Sequence, residues 1–138
     1  MKHRASADRL AKIPLFNHLS TKQLAAVDAL VTTVDLASGR ELIRQGEVGK
    51  EFFLVVDGRA EVRHDGELIA TRGPGTFFGE MALLLDRPRN ASVVAVTDMT
   101  VEVIDQKAFR RLLDEYPDVY APLLKATARR LAELDNSA

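Results

Sequence analysis

The chain has 138 residues, of which 46% are hydrophobic and 28% are charged. These values are typical of one folded globular domain and exclude a disordered chain. Nineteen Lys and Arg residues against twenty Asp and Glu residues leave a net charge of -1, so no overall positive field favours nucleic acid or an anionic membrane.

The N-terminus is polar and no long apolar run follows it. A secretory signal and a membrane span are therefore not predicted, and we expect a cytoplasmic protein. The chain has no cysteine, and its histidines, His3, His18 and His64, do not have the spacing of metal ligands. We expect no metal, no cofactor and no catalysis, which disfavours the alternative of a metal-dependent phosphodiesterase.

Residues 1–33 have helical periodicity. Ser20 and Gln23 have the spacing of a capping box, and the apolar residues after them recur every three or four positions, which predicts a helix over 21–31. A shorter helical piece before it is interrupted by Pro14, whose ring removes a backbone donor. We expect two short helical segments here.

Residues 34–104 have a different pattern, with short apolar runs separated by Gly and Asp. Asp57-Gly58 and Asp65-Gly66 are strong hairpin signals, and His64 is expected to be an exposed residue at a strand end. This punctuation predicts an antiparallel all-β barrel or sandwich. The predicted strands are 41–45, 52–56, 59–64, 67–71, 91–96 and 100–104.

Residues 105–138 return to the helical period. Asp105 is a candidate N-cap for a helix that ends before Pro117. Pro122 is expected to interrupt a helix running through it, so the terminal helix is placed at 122–134. An apolar stripe on this helix is suited to packing on the β-structure or on a partner helix. The stripe consists of Leu123, Leu124, Ala128, Leu131 and Leu134.

The segment 77–93 contains the residues that indicate a function. Arg89 carries a permanent charge and can hold two phosphate oxygens at once. Glu80 would repel that phosphate unless it accepts hydrogen bonds, and a sugar hydroxyl is a suitable donor. Gly79 suits a close approach of the backbone to a ligand. Each residue alone also has a structural explanation, whereas together they suggest a sugar phosphate.

This segment resembles the cyclic nucleotide-binding domain family, which includes catabolite-activator-type regulators and protein kinase regulatory subunits. The resemblance covers about 15–134. It rests on the motifs Phe78-Gly79-Glu80-Met81-Ala82-Leu83-Leu84 and Pro88-Arg89-Asn90-Ala91-Ser92-Val93, and on the earlier frame Gly39, Leu42-Ile43, Gln45-Gly46-Glu47, Phe53 and Gly58.

The resemblance implies a mainly β fold, with an eight-stranded, jelly-roll-like antiparallel barrel between N-terminal helices and a C-terminal helix pair. All 138 residues would form one such domain. Arg89 would then meet the phosphate and Glu80 the ribose 2′-hydroxyl, while backbone amides line the phosphate turn. The implied ligand-binding residues are Gly79, Glu80, Met81, Ala82, Arg89, Asn90 and Ala91.

The sequence departs from the family at two places. Asn90 stands where members usually carry Ala, Ser or Thr, which leaves the choice between cyclic AMP and cyclic GMP open, and cyclic AMP is favoured as the commoner messenger. On the terminal helix, Leu134 and Asp135 replace polar residues that bind adenine in some regulators, and Arg130 is a candidate for stacking on the purine. The chain ends at Ala138 without a helix-turn-helix, so no direct contact with DNA is expected.

Two functions follow from these observations. The favoured one is a non-catalytic sensor in which ligand occupancy is relayed through the C-terminal helix, with a break at Tyr116-Pro117 as a hinge. Its partner would be an effector protein or a second copy of the chain. The alternative is a degenerate barrel without useful nucleotide affinity, which serves as a dimerisation or docking domain through Leu123, Leu124 and Leu131.

Overall fold

The computed structural model describes residues 9–137, and the side chains up to residue 134. It has eight strands and four helices, beside helical residues 9–11 and a 3-10 turn at Pro14–Phe16. The strands are β1 Thr32–Leu36, β2 Glu41–Ile43, β3 Glu51–Asp57, β4 Ala60–His64, β5 Glu67–Arg72, β6 Phe77–Phe78, β7 Ser92–Ala95 and β8 Met99–Asp105. The helices are α1 Thr21–Asp28, α2 Glu80–Leu84, α3 Gln106–Glu115 and α4 Pro117–Ser137.

The strands form two separate antiparallel sheets of four, in the orders β1-β8-β3-β6 and β2-β7-β4-β5. The mainly β fold with flanking helices is confirmed, as are eight strands. The closed barrel is wrong, because no ladder among residues 9–137 joins one sheet to the other. The edge strands β2 and β6 contain three and two residues, so they offer few backbone groups with which a barrel could be closed.

The strand β3 separates two hydrophobic cores. Successive side chains of a strand point to opposite faces, so Phe52 and Leu54 pack against the helices while Phe53 and Val55 pack between the sheets. Both faces of this strand are covered, which explains why its apolar residues run without alternation. The sheets therefore hold the site between them, and the helices pack on the outer face of one sheet.

The N-terminal predictions are largely confirmed. The Ser20 hydroxyl accepts from the Gln23 N–H at 3.1 Å, and the Gln23 side chain accepts from the Ser20 N–H at 2.8 Å, which completes the capping box. Pro14 begins the 3-10 turn, where its missing donor costs nothing. Helix α1 ends earlier than predicted, since β1 starts at Thr32 within a β-branched run.

The C-terminal prediction is right for α3 and wrong for α4. The Asp105 carboxylate accepts from the Ala108 N–H at 2.8 Å and caps α3 as expected. Helix α4, however, begins at Pro117 and continues through Pro122. Pro122 lies little more than one turn into the helix, and it and Asp118 are exposed, so water can reach the carbonyl left without a donor. None of the helices in residues 9–137 has the length and apolar character needed to cross a bilayer.

Candidate ligand-binding site

The predicted site residues come together around one cavity. It has a volume of about 400 Å³ including its open mouth. Its floor is apolar, and its polar groups come from the segment before and within α2, from the segment before β7, and from α4. The predicted residues that line it are Gly79, Glu80, Met81, Ala82, Arg89, Asn90, Ala91 and Arg130.

Gly79 joins β6 to α2 in a conformation that favours glycine, with φ of 90°. A Cβ atom there would lie 3.0 Å from Arg89 Nη1 and 3.0 Å from the Glu51 carbonyl oxygen. The missing side chain of Gly79 therefore leaves room for the Arg89 guanidinium, and the predicted close approach of this backbone to a ligand stays a prediction. On the preceding strand, Phe78 stacks on Phe53 with ring centroids 4.9 Å apart, which fixes β6 to β3.

Arg89 is buried, with 7% of its surface exposed. Its guanidinium donates to the Gly79 carbonyl at 2.8 Å and to the Glu51 carbonyl at 2.6 Å. Among residues 9–134, no carboxylate lies within ion-pair distance of it. Burial lowers the pKa of Arg89, since desolvation disfavours its charged form, and the charges of Glu51 and Glu80 oppose this only in part.

Gly49 is a site residue that the sequence analysis missed. A Cβ atom at this position would lie 1.9 Å from Arg89 Nε and 2.4 Å from Arg89 Cζ. The Arg89 side chain therefore occupies the space that the absent Gly49 side chain leaves. The only signal in the sequence is that Gly49 follows the Gln45-Gly46-Glu47 frame, which indicates no more than a turn.

Four backbone amides near Arg89 add donors to the cavity. Met81 and Ala82 lie in the first turn of α2, where N–H groups have no partner within the helix. The N–H groups of Asn90 and Ala91 make no hydrogen bond to another residue in the described part of the chain. One charged side chain and several free amides thus converge on one region.

Glu80 is buried, with 2% exposed, and is linked to α4. Its Oε1 accepts from Arg130 Nη1 at 2.6 Å. Its Oε2 has a longer contact of 3.4 Å with Thr127 Oγ1, which donates at 2.8 Å to the Leu123 carbonyl. One carboxylate oxygen is thus held by α4 and the other keeps acceptor capacity. Thr127 was not predicted, because one threonine on a helix gives no signal.

Arg130 has further partners beside Glu80. Its Nη2 donates to the Phe77 carbonyl at 2.8 Å, and its guanidinium carbon lies 4.4 Å from the centroid of the Phe77 ring. One face of the guanidinium is therefore covered by protein. The stacking of Arg130 on a purine stays a prediction.

A second cavity of about 420 Å³ adjoins the first between β5 and α4. Its outer part is lined by Ile69, Ala70, Glu133 and Leu134. Asn90 lies at the junction, where its side-chain amide donates to Met81 Sδ at 3.2 Å. The side chain of Asp135, which was predicted to bear on base recognition, lies outside the described residues.

The apolar stripe of α4 is only partly available. Leu123 is fully buried in the core beneath the helices, so it is not an exposed docking residue as predicted. Leu124 is 45% exposed and Tyr120, one turn earlier, is 40% exposed. Within residues 9–134, no group of three or more His, Cys, Asp or Glu side chains is arranged to hold a metal ion.

The family model described as "Cyclic nucleotide-binding domain" matches residues 33–116. The chain belongs to this family. It is 34% identical over 128 residues to a protein named "cAMP-dependent protein kinase regulatory subunit" from Schizosaccharomyces pombe, covering 92% of this chain and 30% of that protein. The chain thus spans about a third of that relative's length.

Two solved structures agree with the family in fold. One is titled "cAMP bound PfPKA-R (141-441)", with a TM-score of 0.85, 29% identity, and coverage of 97% of this domain and 48% of that chain. The other is the catabolite activator protein of Thermus thermophilus, with a TM-score of 0.79, 30% identity, and coverage of 90% and 61%.

Proposed function

We propose that this domain is a sensor of a cyclic nucleoside monophosphate, with cyclic AMP favoured, and that Arg89 binds the phosphate. The supporting observation is the state of Arg89. It is a buried cation whose partners are carbonyl dipoles, and burying a charge is costly unless an opposite charge compensates it. A cyclic phosphodiester carries one negative charge, which matches the single guanidinium and the neighbouring amides.

Glu80 is proposed to accept the ribose 2′-hydroxyl through Oε2. Oε1 is already occupied by Arg130, which orients the carboxylate. A carboxylate beside a phosphate is tolerated when it accepts hydrogen bonds, and here Oε1 accepts from Arg130 while Oε2 is left for the hydroxyl. Arg89 and Glu80 would thus hold the two ends of a sugar phosphate.

The C-terminal helix is proposed to relay occupancy. Arg130 and Thr127 both lie on α4 and both contact Glu80, so a ligand that shares Glu80 changes the contacts of this helix. Tyr116 between α3 and α4 is non-helical, with φ of -129° and ψ of 77°, which suits a hinge. Relay requires that the ligand bind two helix positions with different affinity. Slower amide exchange in α4 on adding cyclic AMP, abolished by Arg130→Gln, would support the relay.

The preference for cyclic AMP is drawn from the names of the relatives, which are described as cAMP-dependent or cAMP-bound. Cyclic GMP remains the alternative, since Asn90 at the junction of the two cavities can donate and accept hydrogen bonds. We propose no catalytic step. Incubation with cyclic AMP should yield no AMP.

The test is calorimetric titration of cyclic AMP and cyclic GMP into the parent chain, Arg89→Ala and Arg87→Ala. Arg87 is an exposed arginine two residues away and is the matched control. Losing a buried charged hydrogen-bonding partner costs about 3 kcal/mol, so Arg89→Ala should bind at least about 100-fold more weakly. Equal affinity of Arg89→Ala and the parent would refute the phosphate assignment.

A docking function without nucleotide is the second candidate, and exposed Tyr120 and Leu124 on α4 favour it. Under this alternative, Leu124→Glu would change the oligomeric state or effector capture in light scattering and pull-down experiments, and nucleotide would change neither. Under the sensor function, nucleotide changes at least one of them. Leu124 touches neither cavity, so this variant leaves the ligand site intact.

A further inference from the structure

His64, the last residue of β4, contacts the segment that carries Arg89. Its Nδ1 lies 2.6 Å from the Asn90 carbonyl oxygen, and its Nε2 lies 3.4 Å from Asp65 Oδ2. The side chain is 37% exposed, so the prediction of a simple exposed strand end was incomplete. Asp65 is itself fixed, because Gln45 Nε2 donates to its Oδ1 at 2.8 Å and its N–H donates to Gln45 Oε1 at 2.9 Å.

The contacts of His64 indicate which of its ring nitrogens carries a hydrogen. A carbonyl oxygen only accepts, so Nδ1 is the nitrogen that bears hydrogen in this contact. In the neutral ring with that tautomer, Nε2 is an acceptor that faces the Asp65 carboxylate. Only the doubly protonated imidazolium donates towards both acceptors.

The Asn90 carbonyl belongs to the same peptide unit as the Ala91 N–H. No cis peptide bond occurs in the described chain, and a trans unit directs its C=O and N–H to opposite sides. His64 therefore holds this unit with the Ala91 N–H directed away from the imidazole. Ala91 lines the cavity, and its N–H makes no hydrogen bond to another described residue.

The other charged groups around His64 leave this pairing in place. Asp65 faces Nε2, and Glu67 is the cross-strand partner of His64 on β5. The neighbouring Arg63 is engaged with a carboxylate of its own strand at 2.8 Å. On the segment before β7, the Arg89 guanidinium donates to two carbonyl oxygens and not to His64. Among the described residues, the Asp65 carboxylate is thus the charged group recorded in contact with the ring.

We infer that His64 is a positioning residue for the anion site. It orients the Asn90–Ala91 peptide, and its proton strengthens the peptide dipole that meets the anion. The inference rests on the proposed function, because it assumes that a phosphate binds at these amides. His64 then lies behind the anion site and makes the affinity for the anion depend on pH.

The sign of the pH effect follows from the charges. A cyclic phosphodiester keeps its single charge between about pH 5.5 and 8, whereas histidine is the side chain that gains a proton there. The attraction between the imidazolium and the anion exists only in the complex, and at a partly exposed site it is worth about 1 kcal/mol, which corresponds to about fivefold in affinity. Cyclic AMP should therefore bind about fivefold more tightly at pH 5.5 than at pH 8.

The test measures the dissociation constant of cyclic AMP from pH 5.5 to 8 for the parent, His64→Gln, His64→Leu and His18→Gln. Glutamine can donate but has no charge, so His64→Gln should keep most of the affinity and lose the pH dependence. His64→Leu should lose both. His18 is an exposed histidine outside the cavities, and its variant should behave as the parent.

The outcomes separate the two proposals. No binding by the parent at any pH would refute the proposed function. Binding by the parent with a pH dependence that His64→Gln retains would overturn the role of His64 and leave the proposed function standing. Binding by the parent without any pH dependence would also overturn the role of His64.

Discussion

Arg89 and Arg130 line the same cavity, and their guanidinium groups are satisfied in different ways. Arg130 is paired with the Glu80 carboxylate, donates to a carbonyl and covers the Phe77 ring. Arg89 is more deeply buried and donates to two carbonyls. The charge of Arg130 is thus compensated within the protein, whereas Arg89 has dipoles alone as partners. Arg130 therefore links α4 to the Glu80 carboxylate, whereas Arg89 keeps an uncompensated charge for the anion proposed above.

The largest effect should come from breaking the compensated pair. Glu80→Ala leaves the Arg130 cation largely buried and without its carboxylate, and losing one member of a buried pair costs about 3 kcal/mol or more. We expect the free energy of unfolding, measured with urea, to fall by this amount. Adding Arg130→Met to Glu80→Ala should cost little further, and fully additive losses would contradict a direct coupling.

Gly79→Ala should be the next largest effect. The substitution requires an alanine at φ of 90° and places a Cβ atom against the Glu51 carbonyl and Arg89. Gly39 is a matched control, because it has φ of 92° and a Cβ atom added there would have no other atom within 4 Å. The backbone cost of about 1–2 kcal/mol should appear in both variants. The excess loss of unfolding free energy in Gly79→Ala measures the close packing of residue 79 against Arg89 and the Glu51 carbonyl. Equal losses in the two variants would show that this packing does not limit the residue at position 79.

Gly49→Ala tests the position of the Arg89 guanidinium without backbone strain. A Cβ atom at residue 49 would overlap the Arg89 side chain, so the guanidinium must move. A displaced charged contact costs about 1.4 kcal/mol, or tenfold in cyclic AMP affinity by calorimetry. Gly73→Ala, with no atom within 4 Å of the added Cβ, should bind as the parent does. Unchanged affinity in Gly49→Ala would mean that Arg89 acts from another position.

The smallest effect should be at Arg72, a third arginine near the site. Burial, and then the charge of Arg130, lower the pKa of Arg72, and its buried Nε has no hydrogen-bond partner among the described residues. The charges of Glu80 and Glu133 oppose this shift only in part, so the side chain adds little net stability. Arg72→Met should change the unfolding free energy by less than about 0.5 kcal/mol. A loss of unfolding free energy as large as that of Glu80→Ala would show that Arg72, like Arg130, stabilises the fold.

Much of this arrangement could be predicted from local sequence. The capping box at Ser20, the cap at Asp105 and the six predicted strands follow from local spacing and turn residues, which a sequence shows directly. The convergence of Arg89 and Glu80 on one cavity was predicted from charge and hydrogen-bonding chemistry together with the family resemblance. Their roles towards a ligand stay predictions.

The features that were missed depend on tertiary contacts. Strand β6 has two residues and exists because Phe78 stacks on Phe53. Helix α4 passes through Pro122 because core packing of its buried residues outweighs one lost hydrogen bond. The role of Gly49 depends on a side chain forty residues away, and no local pattern shows it.

The most direct test of the central claim compares Arg89→Met with Arg130→Met in two measurements, cyclic AMP affinity by calorimetry and unfolding free energy of the ligand-free chain by urea. Arg89→Met should lose at least about 100-fold in affinity and less than about 1 kcal/mol in stability. Arg130→Met should lose about 3 kcal/mol in stability, because Glu80 is left buried without its cation, and less affinity than Arg89→Met. Retained affinity in Arg89→Met, or the same pattern of losses in both variants, would contradict the division of roles.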